Sequence, residues 1–149
     1  MMMRGFEKIS TYEHKSISLP GRKTKQSAGY DLAAAEDVVV PPSQIILVPT
    51  GLKAYMQPDE YLGIHIRSGL SVKRGLSLIN GQGIIDSDYY NNPENEGHIM
   101  IALYNHSSSS VHIQKGERIA QGVFYKYLLA DNDDANESRS GGFGSTGNE

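Results

Sequence analysis

The stretch from Asn80 to Tyr90 contains residue types that can bind a flat heterocycle and activate a water molecule. Two apolar runs, 76–79 and 84–85, flank a Gly-Gln-Gly turn. This pattern predicts a β-hairpin, because glycine readily adopts the positive φ that such turns need. The tip of a narrow hairpin exposes backbone N–H and C=O groups. Together with the amide of Asn80, those groups can read the edge of a heterocycle as a complementary base would.

Two carboxylates follow this turn. Asp86 and Asp88 are two residues apart, so an extended strand places both side chains on one face. One of them can act as a base. Tyr89 then lies on the opposite face, unless a bend at the strand end redirects it. The alternative interpretation of the stretch is a surface hairpin with a solvated acidic end.

The composition excludes several kinds of site. The chain has 149 residues, which suit one domain with a single core, and it has no cysteine. Disulfides, thiolate catalysis and cysteine-based zinc sites are therefore excluded, and a reducing cytoplasm is the expected location. The five histidines lack metal-binding spacing, so zinc is not expected. No apolar run approaches the ~20 residues that cross a bilayer, so no membrane contact is expected.

The charge of the chain is unevenly distributed. The net charge is −3, but residues 131–149 contain five acids and one arginine and so carry −4, which leaves +1 on residues 1–130. A near-neutral body without a basic stripe argues against a long nucleic-acid partner, because such binding depends on many phosphate contacts. A single nucleotide needs only a few cations.

Strand signals recur about every ten residues, which favours a β-sandwich or barrel over alternating strands and helices. Strands are expected at 44–48, 51–56, 61–67 and 98–104, with an edge strand near 16–19. The alanine-rich segment 27–35 begins like a short helix, but the run Val-Val-Val-Pro-Pro that follows would end it. From its position alone, Asp31 in this segment is a turn residue.

The segment 67–75 is the one convincing helix. Ser68 is a suitable N-cap, and Gly75 is suitable just beyond the last turn. Free N–H groups at the start of this helix, beside Arg67, can bind an anion.

Five segments resemble, in the same order, the motifs of the trimeric dUTP pyrophosphatase (dUTPase) family. They are Ala-Gly-Tyr-Asp-Leu-Ala-Ala at 28–34, Arg-Ser-Gly-Leu at 67–70, Gly-Ile-Ile-Asp-Ser-Asp-Tyr at 83–89, Gly-Glu-Arg-Ile-Ala-Gln at 116–121 and Arg-Ser-Gly-Gly-Phe-Gly-Ser-Thr-Gly at 139–147. One such motif is weak evidence, but five in order are strong. The resemblance covers almost the whole chain, from about residue 28 to residue 147.

The resemblance implies a homotrimer that hydrolyses dUTP to dUMP and pyrophosphate with Mg²⁺, at three sites on subunit interfaces. The implied fold is a jelly-roll-like β-sandwich or distorted barrel. Asp86 would deprotonate the attacking water, and Asp31 would orient metal-bound water. The residues implied to bind dUTP are Arg67, Ser68, Gly69, Gln121, Arg139, Gly144 and Ser145 at the phosphates, Asn80, Gly83, Ile84 and Ile85 at the uracil, Tyr89 at the deoxyribose, and Phe143 over the base. Arg118 would be structural.

The chain is expected to divide into a β domain over residues 1–130 and a flexible C-terminal arm over residues 131–149. The first part of this arm is acidic and lacks apolar residues that could anchor it, so mobility is expected. Its end carries the glycine-rich fifth motif.

The sequence departs from the family at 91–96, where six polar residues stand in place of a short turn. This insertion resembles a variant found in dUTPases of Gram-positive bacteria and their phages. Ile66 replaces the usual proline of the second motif, and Glu117 replaces the usual aspartate of the fourth. Two alternative functions stay open beside dUTP hydrolysis. One is that of a dCTP deaminase of the same fold, and the other is additional binding of a regulatory protein through the inserted loop.

Overall fold

The computed structural model describes residues 2–137 and Arg139, and it contains eleven β-strands and one α-helix. The elements are β1 (Gly5–Lys8), β2 (Tyr30–Ala33), β3 (Val38–Val40), β4 (Ile45–Pro49), β5 (Leu52–Tyr55), β6 (Glu60–Ile66), α1 (Ser68–Arg74), β7 (Leu76–Leu78), β8 (Gly83–Asp86), β9 (Met100–Asn105), β10 (Val111–Ile113) and β11 (Arg118–Lys126). Short 3₁₀ turns occupy Ser10–Tyr12 and Ser87–Tyr89. Over these residues, no helix has the length and apolarity needed to cross a bilayer.

One apolar core joins the strands of four antiparallel sheets. The largest sheet has the order β2-β11-β6-β8, the second has the order β4-β9-β7, and two smaller sheets pair β1 with β5 and β3 with β10. Leu32 of β2, Leu62 of β6 and Leu103 of β9 are each fully buried in this core. The predicted all-β, jelly-roll-like fold with one short helix is confirmed.

The strongest alternation in the sequence predicts its strand correctly. Ile99, Ile101 and Leu103 are buried on one face, as expected for the segment 98–104. β9 begins at Met100, and its central position between β4 and β7 explains this burial. The strands predicted at 44–48, 51–56 and 61–67 correspond to β4, β5 and β6 with each boundary shifted by one residue.

The first strand is not where the alternation near 16–19 placed it. The backbone N–H of Ile17 donates to Lys15 O in a local turn (2.9 Å), and the Ile17 side chain packs on the core from a loop. The first strand is Gly5–Lys8, which pairs with β5. The segment 27–35 is also not helical: it forms β2, because pairing with β11 outweighs the helix propensity of its alanines.

The predicted hairpin around Gly81 is a turn between two different sheets. β7 pairs with β9, with Leu78 opposite Leu103, whereas β8 pairs with β6, with Gly83 opposite Ile64. The turn itself is present, since Gly81 has a φ of 73° and donates its N–H to Leu78 O (2.9 Å). The predicted pairing of the two short strands with each other was wrong, because the longer strands β6 and β9 provide their hydrogen-bond partners.

The predicted helix forms, but its N-cap is Arg67 and not Ser68. Arg67 has extended backbone angles and no side-chain cap bond, and Ser68 is the first helical residue. Gly75 ends the helix in the left-handed region at a φ of 72°, as predicted.

The buried amide of Asn105 closes the loop after β9. Its Nδ2 donates to Val40 O (2.8 Å) and Ser109 O (2.9 Å), and its Oδ1 accepts from the backbone N–H (2.8 Å) and the hydroxyl (2.7 Å) of Ser107. Asn105 is fully buried, so these four bonds have no water to replace them.

We expect Asn105→Ala to lower the free energy of unfolding by about 1–3 kcal/mol, because it leaves buried backbone groups without partners. Asn136→Ala, the same change at an exposed site, is the matched control and should have little effect. Thermal unfolding monitored by circular dichroism measures both. Equal unfolding midpoints for the two variants would contradict this role for Asn105.

Candidate active site

A cavity of about 220 Å³ opens where β8 separates from β7 and β9. Its apolar wall includes Ile64, Leu78 and Met100. Of the residues that the sequence predicted for the base, the sugar and the attacking water, six line this cavity: Asn80, Gly83, Ile84, Ile85, Asp86 and Tyr89. One segment of chain therefore supplies most of a small-molecule site.

β8 is an edge strand, and its free edge provides backbone hydrogen-bonding groups. It pairs with β6 on one side only, from Gly83 opposite Ile64 to Asp86 opposite Tyr61. In an antiparallel edge strand, alternate N–H and C=O groups point away from the partner strand. These groups, with the Asn80 amide nearby, can read a planar ring that carries both donors and acceptors.

The carboxylates of Asp86 and Asp88 meet one guanidinium. Arg139 Nη2 donates to Asp86 Oδ2 (2.5 Å), and Arg139 Nε donates to Asp88 Oδ1 (2.7 Å). The two acids lie on the same side, as predicted. The prediction that both belong to one extended strand was wrong, because β8 ends at Asp86 and the Ser87–Tyr89 turn follows. The bend also carries Tyr89 into the cavity.

The surroundings of Asp86 shift the pKa of its carboxyl. Burial raises the pKa of Asp86 above its usual range, the charge of Asp88 raises it further, and Arg139 opposes both by lowering it. The side chain is 49% exposed, so a water molecule can reach it. A carboxylate with a raised pKa accepts a proton more readily than an ordinary aspartate.

The ring of Tyr89 is held in place by hydrogen bonds. Tyr89 is buried, its hydroxyl donates to His98 O (2.7 Å), and the Asn95 amide donates to that hydroxyl (3.0 Å). A ring fixed at both ends can form a rigid wall of the cavity.

A second group of predicted residues lies in a separate groove. Arg67 and Gly69 line it together with Leu70, Arg74, Gly116, Glu117 and Arg118. Arg74 forms an ion pair with Glu117, whereas Arg118 Nη1 donates to Asp31 Oδ2 (3.3 Å). Arg67 lies at the start of α1, which has only seven residues, and it lines this groove.

Asp31 and Gln121 lie side by side next to this groove. They are directly opposite each other on β2 and β11. The Gln121 side chain lies over Gly29, where a Cβ would stand 2.2 Å from Gln121 Oε1. Glycine at this position is therefore required for the amide to lie where it does. Ser68, the exposed first residue of α1, lies in the chain between Arg67 and Gly69, which line the groove.

Within one chain, the cavity and the groove share no lining residue. The structure thus brings the base, sugar and carboxylate residues together, and it gathers the residues predicted for the phosphates elsewhere. Arg139 is the exception, since it lies at the cavity. The predictions for Phe143, Gly144 and Ser145 lie outside the described residues.

No group of three or more histidine or acidic side chains that could hold a metal occurs in residues 2–137 with Arg139. One carboxylate, that of Asp31, lies beside the groove arginine Arg118. This arrangement fits Mg²⁺ that is held chiefly by phosphate oxygens and water, which is how Mg²⁺ usually binds with nucleotides.

Two residues of the site region were missed from the sequence. Asn92 and Asn95 were read only as part of a polar loop, and both bond to Tyr89. No local pattern marks these two asparagines. Arg118, which was expected to be structural, lines the groove and forms an ion pair with Asp31.

Comparison with known proteins agrees with this geometry. A family model described as dUTPase matches residues 15–147. The deoxyuridine 5'-triphosphate nucleotidohydrolase of Lactococcus lactis subsp. lactis (strain IL1403) is 52% identical in an alignment 149 residues long, which covers 99% of this chain and 99% of the relative. That of Nautilia profundicola is 39% identical over 134 residues, covering 87% of this chain and 90% of the relative.

Solved structures show the same fold. The crystal structure of the dUTPase from Streptococcus mutans aligns with a TM-score of 0.82 at 49% identity, over 86% of this chain and 99% of that one. The dUTPase from phage phi11 of S. aureus, at 21% identity, supports the fold alone, with a TM-score of 0.75 over 93% of this chain and 99% of that one. With its family model, its relatives and its fold in agreement, this chain belongs to the dUTPase family.

Proposed function

We propose that this chain hydrolyses dUTP to dUMP and pyrophosphate, and thereby keeps uracil out of DNA. The observation that carries the proposal is the cavity beside β8, where an open strand edge and the half-buried carboxylate of Asp86 lie together. A chain that is 52% identical over its whole length and has this nucleotidohydrolase activity in its name supports the same substrate.

Uracil binds at the free edge of β8 in this proposal. Its ring carries a donor and two acceptors, and the backbone from Gly83 to Ile85, with Asn80, offers the complementary groups. The narrow cavity walls leave no space for the methyl group of thymine. The Tyr89 ring packs against the deoxyribose and excludes a 2′-hydroxyl.

Asp86 acts as the general base. A water oxygen attacks the α-phosphorus, the water proton passes to Asp86, and the bond from the α-phosphorus to the bridging oxygen breaks, so that pyrophosphate leaves with that oxygen. Arg139 donates to Asp86 Oδ2, and the half-exposed carboxylate stays accessible to the water that it deprotonates.

The groove residues bind the triphosphate. Phosphoryl transfer depends on positioning and on neutralisation of charge, and Arg67 supplies a cation beside Ser68, Gly69 and Gln121. Arg118 adds a second cation in the same groove. Mg²⁺, bound to the phosphates, would supply further neutralisation of charge, and Asp31 would hold a water molecule of its coordination shell.

A homotrimer accounts for the separation of cavity and groove. If the groove of one chain faces the cavity of another, the triphosphate and the uracil of one substrate contact different chains. The exposed apolar side chains of Ile45, Leu47 and Val72 are consistent with surfaces that another copy covers.

Residues 131–149 form the arm in this proposal, and residues 1–130 form the β domain. Residues 131–137 are exposed along their whole length, whereas the Arg139 side chain is only 15% exposed. An exposed linker that leads to a docked arginine is consistent with an arm that reaches a site.

We also infer that the chain is the variant with an insertion in the third motif. The relatives from Lactococcus lactis and Streptococcus mutans, at 52% and 49% identity, support this assignment. Of the 91–96 segment, Asn92 is buried and Glu96 forms an ion pair with Lys53, which favours a structural role. A regulatory protein would have to dock on the exposed Asn91, Pro93 and Glu94.

Incubation with Mg²⁺ and separately with dUTP, dCTP, dTTP and UTP tests the reaction. Pyrophosphate from dUTP alone is expected, and ammonia from dCTP would indicate a deaminase.

Asp86→Asn should keep dUTP binding and lower kcat by roughly 10² or more, because an amide cannot accept the water proton. Asp88→Asn is the matched control with a smaller loss. A larger loss of kcat in Asp88→Asn than in Asp86→Asn would assign the role of the base to Asp88.

Mixed trimers test the division of each site between two chains. Asp86→Asn and Arg67→Ala each inactivate every site, but co-expression of the two variants should restore about a quarter of the activity, since random mixing gives some sites two intact halves. Co-expression of Arg67→Ala chains with Arg118→Ala chains is the control. Both changes lie in the groove, so no chain in such a mixture has an intact groove. Failure of the first pair to recover would place the whole site in one chain.

Removal of the residues after Asn132 should leave the thermal midpoint almost unchanged while most activity is lost. The exposed residues 133–137 contribute little to folding, whereas Arg139 contacts the cavity. Arg139→Ala should reproduce much of the loss. Full dUTP hydrolysis by the truncated chain would show that the arm has no catalytic part, and loss of folding would show that it belongs to the β domain.

A further inference from the structure

The segment 91–97 holds Tyr89 at both of its ends. At the ring, the Tyr89 hydroxyl donates to His98 O (2.7 Å) and accepts from Asn95 Nδ2 (3.0 Å). At the backbone, Tyr89 O accepts from Asn92 Nδ2 (2.7 Å). The position of the ring is therefore set by the loop that follows it as well as by the turn that contains it.

The orientation of the Asn95 amide is determined by its other partners. Its Oδ1 accepts from Asn92 Nδ2 (2.8 Å) and from the Gly97 N–H (3.0 Å). The oxygen is thus engaged, and the Nδ2 group is the one that faces Tyr89. Asn92 is buried, and its Oδ1 accepts from the N–H groups of Glu94 and Asn95 (both 3.0 Å).

This loop is anchored to the body of the protein through Lys53. The Lys53 side chain is 10% exposed, and its Nζ donates to Glu96 Oε2 (2.8 Å) and Asn91 Oδ1 (2.5 Å). The bond from Lys53, with those from Ser10, lowers the pKa of Glu96 to about 2. Because of this low pKa, Glu96 is charged at neutral pH, and its ion pair with Lys53 anchors the loop there.

Gly97 lets the loop pack directly on the Tyr89 backbone. Its φ is 92°, and a Cβ at this position would lie 2.8 Å from Tyr89 O. Both the conformation and the space therefore require glycine here. The loop and the turn of Tyr89 form one packed unit.

We propose that Asn95, supported by Asn92, is the positioning residue that sets the discrimination between deoxyribose and ribose at Tyr89. This inference rests on the proposed hydrolysis of dUTP, in which the Tyr89 ring packs on the sugar. Exclusion of a single hydroxyl requires a wall that does not yield. A ring without its hydroxyl partners can rotate about its side-chain bonds and make room for the 2′-oxygen.

Asn95→Asp tests this role with little change of shape. The aspartate keeps the acceptor for Asn92 and Gly97 but cannot donate to Tyr89. We expect the ratio of kcat/KM for dUTP to that for UTP to fall roughly tenfold, mainly through faster use of UTP, the size of effect that one lost hydrogen bond produces. Glu94→Gln, on the exposed side of the same loop, is the control and should leave the ratio unchanged.

Tyr89→Phe provides an independent variant, because it removes the hydroxyl and keeps the ring. It should lower the same ratio, and the Tyr89→Phe/Asn95→Asp double variant should lower it no further than Tyr89→Phe alone, since Tyr89→Phe already removes the bond from Asn95 together with the bond to His98 O. If Asn95→Asp fails to fold, as judged by its thermal midpoint, Asn95→Ala, which also removes the donor to the hydroxyl, takes its place in the comparison.

Unchanged ratios in the single variants, or effects that add in the double variant, would overturn the role of Asn95. A parent chain that hydrolyses dUTP while its variants keep their ratio refutes this inference alone. A parent chain that fails to hydrolyse dUTP refutes the proposed function, and the inference with it.

Discussion

The separation of β7 and β8 into different sheets is the constraint on which the site depends. β7 pairs with β9, and β8 pairs with β6, so the chain parts on either side of the turn at Asn80–Gln82. The cavity lies in the gap between them. One consequence is that β8 keeps a free edge, whose unpaired backbone groups would be a liability on an exposed surface. Inside a cavity, the same groups can recognise a ligand.

Acidic and basic side chains are divided between the cavity and the groove within one chain. Asp86 lines the cavity, where burial raises the pKa of its carboxyl, and Arg67 and Arg118 line the groove. Each place also holds a partner of opposite charge, because Arg139 donates to Asp86 and Asp88, and Arg118 donates to Asp31. In the proposed trimer, the groove of one chain would meet the cavity of another, so that one substrate would contact both.

The loop 91–97 shows how a polar insertion can become part of a rigid framework. Its side chains are mostly amides and carboxylates, which would ordinarily remain in water. Here the nearly buried Lys53 neutralises Glu96, and the two amides of Asn92 and Asn95 satisfy each other and the backbone. A well-satisfied polar network of this kind gives precise position without an apolar core. That property suits a support for Tyr89.

The sequence by itself determined the elements that depend on local patterns. The alternation in 98–104, the glycines Gly75 and Gly81 at positive φ, and the order of five motifs all identify strands, turns and family without tertiary information. It also identified the residues around Asp86 that line the cavity, since they are neighbours in the chain.

Tertiary structure alone decided which strands pair and which distant side chains meet. The hairpin predicted around Gly81 was replaced by pairing of β7 with β9 and of β8 with β6, because the packing of the whole chain places these strands beside them. The ion pair of Arg118 with Asp31 joins residues far apart in the chain, and the bonds of Asn92 and Asn95 to Tyr89 depend on how their loop folds back. Side-chain polarity is visible in a sequence, but the partner that satisfies it is set by the packing of the whole chain.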